Sequence, residues 1–150
     1  MISREPIYAG LFSRLQTQVT LCKTFSRKWI AAQEIGIEQQ PALLCLEGSE
    51  LPHTEPRLPT IWTLEAVVVV YVRTNDTATP GTILSNVLDQ IEGALEMQSS
   101  ESRLVNGWQT TLGIQGVQRA FIGGAVAKED GALTGGQGWM TLPIHILVEQ

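Results

Sequence analysis

The side chains able to do chemistry are few in this sequence, and their spacing does not gather them. His53 stands in a proline-rich stretch and His145 in an apolar run. Cys22 and Cys45 lie well apart. A metal site wants His, Cys, Asp or Glu at ligand spacing, and no HExxH, CxxC or HxH pattern occurs. Cys45 and His145 form the one thiol–imidazole combination that nucleophilic catalysis could use, but no local motif supports it. Cys45 sits in Ala42-Leu43-Leu44-Cys45-Leu46, a run that suits a buried free thiol. Gly113-Ile114-Gln115-Gly116 lacks the GxGxxG spacing. Neither it nor Gly135-Gly136-Gln137-Gly138 is followed by the GK[ST] of a phosphate loop. Turns needing positive φ are the simpler reading of both. Glu129-Asp130 reads as a solvated turn. The expectation is therefore no catalytic, cofactor-binding or metal-binding residue, and no enzyme.

The elements that must position these residues follow from composition and periodicity. A chain of 150 residues suits one domain, 1–150. Hydrophobic residues make up 43% and charged residues 17%. The charged share is below the usual ~25%, which leaves uncharged surface for interfaces. A net charge of -5 argues against specific nucleic-acid recognition. Residues 1–30 carry Arg4, Arg14, Lys23, Arg27 and Lys28 against Glu5 alone, whereas 31–100 are rich in acids. A basic segment meeting an acidic partner is one reading; solvated faces are the other. No secretion signal opens the sequence. The longest apolar run, 66–72, is too short for a membrane-spanning helix. Folding in a reducing cytoplasm is expected.

Ser3 is placed to cap a helix with Glu5 and Pro6 in its first turn. Ile7, Leu11 and Leu15 recur every four residues, flanked by Tyr8, Phe12 and Val19, so this helix runs to about Thr20 or Leu21. Phe25, Arg27 and Trp29 alternate with Ser26 and Lys28, predicting a short strand. Residues 31–40 are ambiguous. A strand follows at 42–47, then a loop at 48–60 marked by Gly48, Pro52, Pro56 and Pro59. The strongest strand signal is 61–72, where four consecutive valines favour extended backbone and apolar residues on both faces demand a central place. A turn is expected at 75–79. Thr79 and Pro80 then open a helix over about 80–97, with Ile83, Leu84, Val87, Leu88, Ile91 and Leu95 at helical spacing. Residues 98–116 have no clean period. Strands are predicted at 117–128 and 139–149, joined by a glycine-rich connection at 129–138. Pro143 has no N–H for a ladder, so an edge or bulge is expected there. The fold class is α+β: a mainly antiparallel sheet of four to five strands with two main helices on one face.

Trp29 and Trp62 fall in predicted strands and read as core. Trp108 and Trp139 flank weakly patterned segments, and tryptophan beside a glycine-rich loop can anchor an interface; core burial is the competing reading for each. The tip at 129–138 is expected to touch a partner, because long loops in compact domains are usually functional or disordered. The partner-interface candidates are Gly131, Ala132, Leu133, Thr134, Gly135, Gly136, Gln137, Trp108 and Trp139.

In layout the chain resembles the tail-terminator (tail-completion) proteins of siphophage-type bacteriophages. The resemblance runs nearly end to end. It rests on Arg4-Glu5-Pro6-Ile7-Tyr8-Ala9-Gly10-Leu11-Phe12, Phe25-Ser26-Arg27, Gln40-Pro41-Ala42-Leu43, Trp62-Thr63-Leu64 with its valine run, Leu88-Asp89-Gln90-Ile91, Thr111-Leu112-Gly113 and Leu142-Pro143-Ile144-His145-Ile146-Leu147-Val148. None of these is a sharp motif; the order and the length carry it. The resemblance implies a homohexameric ring in the neck of the virion tail, assembled in the host bacterial cytoplasm. Such a ring binds the major tail tube protein on one side and a head-completion or connector protein on the other. It implies no cofactor, no membrane and no catalytic residue. A head-tail stopper, a tube protein, or a small enzyme or ligand-binding domain using His145 or Cys45 are the alternatives.

Overall fold

The computed structural model describes residues 2–74, 79–96, 98, 109–131 and 136–150. Residues 75–78 of the expected turn at 75–79 and most of 98–116 lie outside them. Helix α1 is Arg4–Gln18, a little shorter than its periodicity predicts. Ser3 occupies the cap position in extended conformation, but its side chain makes no capping bond. Helix α2 is Pro80–Ala94, with proline in its first turn as expected. Both helices press their apolar stripes onto the same sheet face. Ile7, Leu11, Leu15, Leu84, Val87 and Ile91 share one buried cluster with Leu64, Val68, Val70, Leu142, Ile144 and Ile146.

The strands are β1 (Thr24–Ser26), β2 (Ala42–His53), β3 (Ile61–Arg73), β4 (Val117–Ile122), β5 (Ala127–Glu129) and β6 (Gln137–Glu149). The sheet order is β1-β2-β3-β6-β4, with β5 also paired to β6. The valine-rich β3 lies between β2 and β6. Val68, Val70 and Val72 face the helices, and Val69 and Tyr71 face the other way. Pairing is antiparallel everywhere except between β1 and β2. That parallel pair exists because residues 27–41 carry the chain back before β2 begins. The segment contains two short 3-10 turns, Ala32–Glu34 and Ile37–Gln39. Its Ile35 packs with Ala42, Leu44, Val69 and Tyr71, so the ambiguous stretch builds a small second core on the far sheet face.

Three local departures have physical causes. The predicted loop 48–60 shrinks to 54–60, because β2 continues to His53. Its ladder with β3 slips between Glu47 and Glu50. A Cβ on Gly48 would lie 2.8 Å from Glu65 Oε1 and 3.1 Å from its backbone oxygen, so glycine is what this bulge accepts. Pro52 falls where β2 has no outer neighbour, since β1 reaches only Leu44. The third departure splits the predicted strand 117–128 into β4 and β5, giving six strands. The break lies opposite Pro143: β4 ends at Ile122, opposite Ile144, and β5 starts at Ala127, opposite Thr141. The Gly123 N–H still donates to the Pro143 oxygen, at 3.0 Å. Proline offers no N–H in return, and regular pairing stops there.

Candidate functional site

Burial disables the two thiols. Cys22 and Cys45 are buried and free. Desolvation pushes each thiol up from 9.0 to about 12, so both are protonated at neutral pH. Cys45 faces the helices as part of the main core. His145 lies on the opposite sheet face, because its neighbours Ile144 and Ile146 occupy the helix side. β3 also runs between β2 and β6. The Cys45–His145 pair is thereby ruled out by geometry. His145 Nε2 instead lies 3.3 Å from Glu65 Oε2, and its ring sits edge-on to Phe121 at 5.9 Å. A Cβ on Gly123 would fall 2.2 Å from that ring, which explains the glycine. His53 pairs with Glu55 at 3.1 Å, both exposed, beside a shallow hollow of 320 Å³ lined also by Leu58, Pro59, Ile61 and Glu149. Among the described residues no three His, Cys, Asp or Glu side chains come together as a metal site would require.

Part of the uneven charge seen in the sequence is used inside the chain. Arg4 pairs with Glu50, and Arg27 pairs with Glu5 and lies 3.9 Å from Glu47. The Arg27 hydrogen bond holds the Glu5 carboxyl below its usual range. The Tyr8 hydroxyl donates to Glu50 at 3.2 Å. Burial, then the Glu50 charge, pushes the Tyr8 phenol well up. These contacts tie α1 and the segment after β1 to the bulged half of β2.

The expected interface residues scatter. Gln137 belongs inside: it is 8% exposed. Its amide donates to Gln40 Oε1 at 3.0 Å, to the Val72 oxygen at 3.1 Å and to the Gly138 oxygen at 3.0 Å. Gln137 thus locks the start of β6 to the chain before β2, which corrects its assignment to a projecting tip. Replacing it by Leu is expected to cost about 1–3 kcal/mol, because buried acceptors lose their donor. A urea midpoint unchanged from the parent would refute that role. Trp139 is half-buried and packs against the second core. Gly131 at φ 90° accepts a 2.9 Å bond from Gly136 N–H, and a Cβ there would lie 2.9 Å from the Gly136 carbonyl carbon. Gly131 and Gly136 are therefore held against each other by their backbones. Ala132, Leu133, Thr134, Gly135 and Trp108 lie outside the described residues.

Two surface features escaped sequence reasoning. Trp29, read as core, is 63% exposed, its ring edge-on to Tyr71 with centroids 6.3 Å apart. The alternation of Phe25, Arg27 and Trp29 does not continue as a strand, because β1 ends at Ser26. The second is a groove at the β4 edge, where Leu95, Phe121 and Ile122 meet Glu92 and Glu96. It joins residues distant in sequence and has no local signature. Compared with protein-family models and with curated proteins, the chain matches none.

Proposed function

We propose that this chain is a structural subunit of a bacteriophage tail neck. In this reading copies assemble into a ring of six at the head-proximal end of the tail tube. The ring stops tube polymerisation and offers a joining surface to a head-completion or connector protein. Support comes from the end-to-end layout described above, which an α+β sheet with two helices on one face accommodates. The observation that carries the reading is the exposed indole of Trp29 on a chain poor in charge. Tryptophan is among the residues most enriched at the centres of protein interfaces.

A tube subunit is the second reading. It is favoured by the β2–β3 hairpin, whose strands of 12 and 13 residues exceed what the sequence predicts. One experiment separates the two: the solution mass of the purified chain, alone and mixed with tube protein. A terminator is expected to give one ring and to stop tube growth on binding. Open-ended polymers of the chain itself would favour the tube reading. A closed two-fold dimer, in solution and in particles alike, would reject both.

A further inference from the structure

Residues 28–40 cross the sheet face opposite the helices without joining a strand ladder. Among the described residues, their backbone N–H groups bond only locally. Glu34 donates to the Ala31 oxygen at 2.9 Å, Ile35 to Ala32 at 3.2 Å, Gln39 to Gly36 at 2.9 Å and Gln40 to Ile37 at 3.2 Å. The Lys28 N–H reaches Ser26 Oγ at 2.9 Å. By contrast, β3 is paired along both edges. The two ends of the segment are pinned. β1 pairs with β2, and the Lys23 N–H donates to the Pro41 oxygen at 2.8 Å.

Between those ends the hold is slight. Ile35 and Gln40 are the buried residues of 28–40. Ile35 packs with Ala42, Leu44, Val69 and Tyr71. The Gln40 amide donates to Gln137 Oε1 at 3.4 Å, and its oxygen accepts from Gln137 Nε2 at 3.0 Å. Thr24 Oγ1 donates to the Gln39 oxygen at 2.8 Å, and the exposed Trp29 ring rests edge-on to Tyr71. The main core is far larger and joins both helices to the sheet. Segments that bury few apolar groups and bond only locally open at lower free energy than the rest of a fold.

We propose that residues 28–40 form a strap that lifts off the sheet as one unit while both helices and β2, β3 and β6 stay folded. Gln40 Nε2 also donates to the Ile35 oxygen at 3.1 Å, so the apolar anchor and the polar anchor are tied and release together. Lifting bares Ala42, Leu44, Val69 and Tyr71, an apolar half-face that the closed chain hides. The strap is a cover built into the fold, and its opening depends on nothing in the tail-neck reading.

Amide hydrogen exchange on the full chain tests the proposal. The Glu34, Ile35, Gln39 and Gln40 amides are expected to open about 100-fold more often than those of Val68 and Val70, and to share one urea dependence. Ile35→Ala should speed the strap amides about 30-fold. Leu64→Ala should speed the Val68 and Val70 amides and leave the strap amides unchanged, because Leu64 lies in the main core. Strap amides that accelerate in step with β3 in Leu64→Ala would show that the segment opens only with the whole fold. Four unrelated urea dependences would show separate fraying. Either result overturns the proposal. A Val69→Cys protein keeps the main core intact and gives a second measurement. Its thiol lies under the strap and should react with a maleimide about 100-fold faster than the buried Cys45, which faces the helices. Equal rates at the two thiols would also overturn it.

Discussion

Leu64→Ala is expected to lower the stability of the chain by about 3–5 kcal/mol. Leu64 is fully buried on β3, in the cluster where both helices meet the sheet. Truncation there removes apolar contact and leaves a cavity that two helices and two strands cannot easily close. For a domain of this length the loss corresponds to roughly 10 °C in melting temperature. Leu51→Ala is the matched control, because that side chain is 68% exposed and should change stability by less than about 0.5 kcal/mol. Leu44→Ala probes the small second core. If residues 27–41 merely rest on the sheet, Leu44→Ala will cost far less than Leu64→Ala. Equal losses for Leu51 and Leu64 in urea titrations would contradict the burial pattern.

Alkaline pH is expected to destabilise the protein steeply. Cys22 and Cys45 are acids whose folded values are raised, by burial, from 9.0 to about 12. A raised value means the folded state holds its protons more tightly than the unfolded one. The associated stability is therefore complete below about pH 9 and is lost as pH climbs towards 12. At about pH 11 each thiol would withdraw stability on the order of 3 kcal/mol, since one pH interval is worth about 1.4 kcal/mol. Tyr8 adds to the same trend at higher pH, because its value is raised by burial and by Glu50. Melting temperatures between pH 8 and pH 11 check this. A Cys22→Ala, Cys45→Ala double variant should start lower at pH 8 but fall more gently. An identical slope in both proteins would show that the thiols do not drive the loss.

Both helices, the central place of β3 and the class of fold were legible in the residues alone. Each rests on a short-range signal: leucines and isoleucines at helical spacing, a proline at the start of α2, a run of valines that only extended backbone suits. The sequence also separated the cysteines and histidines from any motif, and the fold keeps Cys45 and His145 on opposite faces. The remaining features depend on contacts between distant elements. Gly48 and Pro52 read as loop residues until β3 supplies a partner, because a bulge and an open edge tolerate both. Gln137 read as part of a partner-touching tip until Gln40 and Val72 placed three acceptors around its amide with Gly138. The parallel strand β1, the second core under residues 27–41 and the groove beside Glu92 all join residues distant in sequence. Periodicity records which side of its own element a residue occupies. It does not record which other element arrives to cover that side, and that arrival is what buried Gln137 and left Trp29 in solvent.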